Sequence, residues 1–229
     1  MLMRLAVTGA SGKTGWRIVD EARLRGHEVV PILRPNSQLP EGLVADGLPL
    51  KRLNLADQNA LVAALNGCDA LLIATGARPS IDLAGPLKVD ALAIRDQITA
   101  CRRAGVKRVV LVSSLCSGRL FHPLNLFGLI LIWKRLGEQW LEASGLSWTI
   151  VRPGGLKEAE EQLEREGIRF SGPNKQESSS IPRRLVAQVC LDALELQAAV
   201  GRILEITSGE DVPKQTLADW LIENPTSAI

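Results

Sequence analysis

Val7-Thr8-Gly9-Ala10-Ser11-Gly12-Lys13-Thr14-Gly15 joins a short apolar run, residues 2–7, to a helical pattern over 16–25. Its glycines at 9, 12 and 15 give the spacing G-x-x-G-x-x-G. A strand that turns into a helix with so little side chain in the way exposes backbone N–H groups. Together with the positive end of the helix dipole they receive a pyrophosphate. A glycine-rich turn is a weak signal alone, but its place after the first strand of an α/β pattern makes it a nucleotide-binding signal. Gly12-Lys13-Thr14 also resembles the end of the ATPase loop G-x-x-x-x-G-K-[ST]. The residue five before Gly12 is Val7, not glycine, and that reading is excluded.

Downstream the pattern alternates. Apolar strands are expected at 27–33, 50–55, 69–74, 108–113, 148–151 and 202–207, and helices at 57–65, 88–104, 130–143 and 213–222, with a further helix opened by residues 178–182 and running to about 196. Asp57 is expected to cap the second helix, and Gly26 and Gly105 to close the helices before them. Strands buried on both faces between helices predict an α/β fold, a Rossmann-like doubly wound parallel sheet with helices on both faces. The chain reads as a single domain, with a cofactor-binding core over 1–156 and a small C-terminal substrate-side part over 157–229. The acidic stretch 158–166 reads as a solvated charged face.

Of the 229 residues, 46% are hydrophobic and 23% charged, enough for a sizeable core, and the net charge of +2 offers no basic field for nucleic acid. Cys68, Cys101, Cys116 and Cys190 are widely spaced, without a C-x-x-C pair, and read as buried free thiols of a reducing compartment. No metal-ligand cluster, signal peptide or membrane span is expected, and the predicted location is cytoplasmic.

Nineteen residues beyond Gly15, where NAD-preferring folds place an acid on the ribose 2′-hydroxyl, stands Arg34. Glu28 lies at the wrong end of that strand. A cation without an acid favours the 2′-phosphate, hence NADP (NADPH) over NAD, and Lys13 or Ser37 could add to that site. Asn54 and Leu55 end the third strand, where an amide and an apolar side chain suit an adenine. Ala74-Thr75-Gly76 end the fourth, where small residues let a ligand pass close to the backbone.

Thr8 to Gly15, Leu33-Arg34, Val89-Asp90, Val110 to Ser114, Trp133-Lys134-x-x-x-Glu138 and Ser144 to Leu156 together resemble the atypical short-chain dehydrogenases/reductases. The nearest subgroup is the small NAD(P)H-binding one that includes biliverdin reductase B, a flavin reductase, and NADPH-binding proteins of cyanobacteria and plastids. The resemblance implies that Gly9, Ser11, Gly12, Lys13, Thr14 and Gly15 hold the cofactor's phosphates. It implies that Ser113 and Ser114 close the fifth strand beside the nicotinamide, and that Lys134 reaches the nicotinamide ribose. It further implies that the segment from Thr149 through Arg152, Pro153, Gly154 and Gly155 lines the carboxamide side. Ser113, Ser114 and Lys134 are then the candidate catalytic residues.

One departure bears on mechanism. Typical members use Tyr-x-x-x-Lys, yet Ile130 stands four residues before Lys134 and the chain contains no tyrosine. A typical alcohol dehydrogenase is excluded. A flavin, quinone or other planar conjugated acceptor stays open, because such a ring system can take its proton from water. His122 is a conceivable acid, although a loop histidine is more often incidental. The alternative is a non-catalytic NADP(H)-binding redox sensor or assembly factor, acting on a protein partner through the apolar segment 115–133. The first expectation for that segment is core and pocket wall.

Overall fold

The computed structural model describes residues 2–43, 47–77, 84–119, 121–126 and 128–225. Leu120 and Phe127 of the apolar segment lie outside the described residues.

Five parallel strands build the centre: β1 (Arg4–Thr8), β2 (Glu28–Leu33), β4 (Ala70–Ile73), β5 (Arg108–Val112) and β6 (Ser147–Pro153). With β3 (Lys51–Arg52), β8 (Gly167–Ser171) and β10 (Arg202–Gly209) they form an eight-stranded sheet in the order β3-β2-β1-β4-β5-β6-β10-β8. Only β8 runs antiparallel, pairing Phe170 with Ile206. The strand order reverses between β1 and β4, the switch point at which ligands bind in such sheets.

Alternation of side chains sorts each strand between two cores. Leu5 and Val7 face one cluster with Ile18 and Val19 of α1 (Gly15–Leu24) and Val186 and Val189 of α5 (Arg183–Glu195). Ala6 faces the other, with Leu61 and Leu65 of α2 (Gln58–Leu65), Ile98 of α3 (Ala93–Ala104) and Leu141 of α4 (Ile130–Glu142). Helices therefore cover both faces, as the doubly wound pattern requires. Asp57 caps α2 by accepting from the Asn59 and Ala60 amides at 3.1 and 3.0 Å. Thr216 caps α6 (Leu217–Glu223) through the Asp219 amide at 3.1 Å.

The structure departs from the expectations in several places, among them β8, which was not expected as a strand, and residues 180–182, which form a strand where a helix was expected to open. The third strand shrinks to Lys51–Arg52, because Asn54 Oδ1 turns back on the Ala56 amide at 3.1 Å and ends it. The helix expected at 88–104 opens with a π-helical turn, Leu87–Leu92, before α3. A second, two-stranded sheet forms from β7 (Gly155–Lys157) and β9 (Ser180–Pro182). Among the described residues, no helix is long and apolar enough to cross a membrane, and no group of three or more His, Cys, Asp or Glu could hold a metal. All four cysteines are free and buried, and burial pushes the Cys101 thiol up to about 12.

Candidate functional site

Parallel register brings one end of every central strand to the same edge. Thr8 pairs with Ile73, Ile73 with Leu111 and Val112 with Val151. The residues that follow, Gly9, Ala74-Thr75-Gly76, Ser113-Ser114 and Pro153-Gly154, therefore line up along the carboxyl edge of the sheet. Arg34 leaves β2 at that edge and is exposed, as is Asn54 just beyond β3, while Leu55 packs against the α2–α3 core.

The loop after β1 is glycine-rich for a steric reason. Gly9 has φ +74°, and a Cβ there would come within 2.6 Å of the Ala74 carbonyl oxygen. A Cβ on Gly15 would drive into the Gly9 carbonyl, and one on Gly12 would sit 3.1 Å from the same oxygen. The Gly12 amide donates to Gly9 O at 2.8 Å and the Trp16 amide to Gly12 O at 3.1 Å, folding the turn directly into α1. The backbone of this turn is bare of Cβ atoms where β1 meets the helix, a cradle that fits a dinucleotide pyrophosphate. Ser11 is half-buried, Lys13 exposed and Thr14 buried.

Beside the ends of β4 and β5 lies a small space lined by Thr75, Asp90, Ile94, Leu111, Val112, Ser113 and Lys134. Asp90 stands on the π-helical turn, a local distortion that often marks functional sites. Its Oδ1 accepts from Lys134 Nζ at 2.8 Å and its Oδ2 from the Ala77 amide at 3.2 Å. The Asp90 side chain is 2% and that of Lys134 14% exposed, so the pair is held largely out of water. Beside it the Thr75 hydroxyl is buried and, among the described residues, without a hydrogen-bond partner. An orphaned hydroxyl and a directed ammonium fit a polyhydroxylated ribose, the part of a nicotinamide cofactor expected here.

Ser113 and Arg152 turn out to face inward. Ser113 Oγ donates to Glu138 Oε1 at 2.5 Å. Arg152, with a side chain 2% exposed, grips Glu138 with two nitrogens at 3.0 and 2.7 Å and reaches Glu205 at 3.4 Å. Glu205 accepts the amides of Asn174, Lys175 and Gln176 at 2.7, 2.9 and 2.9 Å. Burial alone would push the Glu138 carboxyl up, but the Arg152 guanidinium, with Ser113 and Arg135, holds it below its ordinary value. Arg152, expected on the carboxamide side of the cofactor, thus spends its charge on two buried carboxylates. Gly154 remains at the edge, where a Cβ would meet Ser179 O at 2.5 Å, and Gly155 is exposed in β7.

The apolar segment divides. Leu115, Ile130 and Leu131 are buried in a small cluster with Cys116. Phe121 is 97% and Leu126 83% exposed, which corrects the expectation of core and pocket wall for that part. His122 Nδ1 accepts the Leu124 amide at 3.2 Å, a local turn bond. Asp90, Glu138 and Glu205 escaped the sequence reading as site residues. Their partners lie on other elements, and only the quoted Val89-Asp90 and the Glu138 of Trp133-Lys134-x-x-x-Glu138 marked two of them.

Comparisons with known proteins agree with this fold. A family model described as NAD(P)H-binding matches residues 9–197. An uncharacterized chloroplastic protein of Arabidopsis thaliana is 34% identical, over 94% of this chain and 80% of its own length. Sanguinarine reductase of Eschscholzia californica is 28% identical, over 90% of this chain and 89% of its own. A solved structure from Bacillus halodurans, described as an NAD-dependent epimerase/dehydratase, is 30% identical with a TM-score of 0.80 and covers 92% of this chain and 96% of its own. A chain with this sheet, this glycine loop and these relatives belongs to the NAD(P)H-binding family of atypical short-chain dehydrogenases/reductases.

Proposed function

We propose that the protein is an NADPH-dependent reductase of a flavin, quinone or similar planar conjugated acceptor. The observation that carries this reading is the buried Lys134–Asp90 pair beside Thr75 and Ser113, one helical turn from Ile130, which stands where a proton-donating tyrosine would be. A bound NADPH supplies a hydride. The amides and bare backbone at Gly9, Gly12 and Gly15 hold its pyrophosphate, and Arg34, with Lys13, takes the 2′-phosphate. Lys134, fixed by Asp90, orients the nicotinamide ribose with help from Thr75. The Ser113 hydroxyl is committed to Glu138, so Ser114, half-buried at the same edge, is left to orient the acceptor. With no tyrosine in the chain, the acceptor takes its proton from water, which a conjugated ring tolerates and an isolated carbonyl does not.

The sanguinarine reductase relative supports a reductase, and Arg34 without a neighbouring acid supports NADP over NAD. The four free, buried cysteines suit a reducing setting such as the cytosol. The test is NADPH consumption with FMN, FAD and a series of quinones. Binding of NADPH without reduction of any of them would reject the catalytic reading.

The exposure of Phe121 and Leu126 favours a second reading, a non-catalytic NADP(H) sensor that meets a protein partner through this loop. It requires association that differs between NADPH and NADP. Association indifferent to both would remove it.

A further inference from the structure

The acidic stretch after β7 is not simply solvated. Glu158 pairs with Lys13 of the glycine loop, and Glu160 pairs with Arg17 in the first turn of α1. Glu160 also lies 3.3 Å from Arg184 Nε, and Arg184 Nη1 is 2.6 Å from Asp20. The small β7–β9 sheet explains the placement. Its two strands run side by side, so β7 delivers Glu158 and Glu160 to the same place where β9 delivers Arg183 and Arg184. Arg183 Nη1 donates to Thr14 Oγ1 at 2.9 Å, fixing the start of α5 to the loop itself. The Trp16 ring centroid lies 4.3 Å from the Arg17 guanidinium and 5.2 Å from that of Arg184.

Two of these contacts differ in kind. The Arg17 side chain is 9% and that of Arg184 15% exposed, and each has further bonds that hold it in place. Lys13 and Glu158 are 56% and 55% exposed, and among the described residues the Lys13 ammonium has only this carboxylate. Glu160 thus anchors the acidic stretch 158–166 as a strap across the loop, while Glu158 forms an exchangeable contact on the one cation within the glycine loop. Exposed ion pairs are weak and yield to a stronger anion. A phosphate, with more charge and more acceptor oxygens than a carboxylate, is such an anion.

We propose that Glu158 is an affinity-setting residue for the cofactor: it competes with a cofactor phosphate for Lys13, and binding hands Lys13 from the strap to that phosphate. The inference rests on the glycine loop being the cofactor site. The contested group is a phosphate ester or anhydride, either the 2′-phosphate of NADP(H) or the pyrophosphate common to both dinucleotides.

The test is a double-mutant cycle on dinucleotide affinity, measured by titration calorimetry with NADPH and NADH on the wild-type chain, E158Q, K13M and the double variant. Both side chains are exposed, so a thermal melt should leave all four folded. E158Q is expected to bind tighter by about threefold, the range an exposed ion pair allows, and the gain is expected to vanish in the K13M background. A gain confined to NADPH identifies the 2′-phosphate as the competitor, and an equal gain for NADH identifies the pyrophosphate. Unchanged or weaker binding by E158Q, or the same gain with and without Lys13, overturns the proposal. A wild-type chain that binds neither dinucleotide would instead reject the reading of the loop.

Discussion

Lys134 and Asp90 are 44 residues apart in the chain and 2.8 Å apart in the fold, joined across α4 and the π-helical turn before α3. Gly137 allows this, because a Cβ there would strike the Asp90 carbonyl, so α4 lies flush on the turn that carries the carboxylate. The carboxylate gives a long, flexible side chain one direction. K134M should weaken NADPH binding about tenfold, the loss of one charge-assisted hydrogen bond. D90N keeps the ammonium but loosens its aim, and should cost a smaller factor in affinity and a larger one in turnover. Titration and steady-state kinetics with FMN would show the split. Equal effects of D90N on both would make Asp90 a structural residue.

The glycines of the loop separate folding from binding. G9A forces an L-residue to φ +74° and within 2.6 Å of Ala74 O, and G15A buries a methyl in the Gly9 carbonyl. Each should cost about 2 kcal/mol and lower the melting temperature by roughly 4–8 °C. G12A meets only Gly9 O, at 3.1 Å, and should melt close to wild type while losing most NADPH affinity. If G12A bound normally, the pyrophosphate would lie elsewhere.

The sequence carries most of the sheet because buried parallel strands are apolar throughout and helices keep their own period. Ala70–Ile73 and Arg108–Val112 are visible on sight. β7 and β9 are not, since three residues have no period and each is defined only by the other, some 25 residues away. The glycine loop was legible for the same reason the strands were: its demands are local. Arg152 was not. An arginine ending a strand at the ligand edge looks available until Glu138 and Glu205 arrive from α4 and β10 to neutralise it. The strap is the same case with the sign reversed, acids that look solvated until Lys13, Arg17 and Arg184 meet them.

Arg34 offers the sharpest test of cofactor choice. It is exposed just past β2 and pairs with no acid among the described residues. R34A should weaken NADPH by about tenfold and leave NADH unchanged, since only the former carries the 2′-phosphate. R34D should invert the preference. Equal losses for both dinucleotides would remove the argument for NADP.

The Ser113–Glu138–Arg152–Glu205 ladder ties the end of β5 to the 174–176 loop through groups almost wholly out of water. E138Q leaves Arg152 with the single carboxylate of Glu205, 3.4 Å away, and should destabilise the fold by about 3 kcal/mol at neutral pH. The pH dependence has a definite sign. The folded Glu138 carboxyl lies below its ordinary value of 4.5, so the unfolded chain binds its proton first on acidification. Its contribution is therefore complete above about that value and is lost as pH falls through the lower, folded one. Urea unfolding across that window should show wild type and E138Q separated by a constant gap at neutral pH that narrows in acid. A gap that stayed constant down to the acid transition would show that the ladder holds through packing, with no part carried by the Glu138 charge.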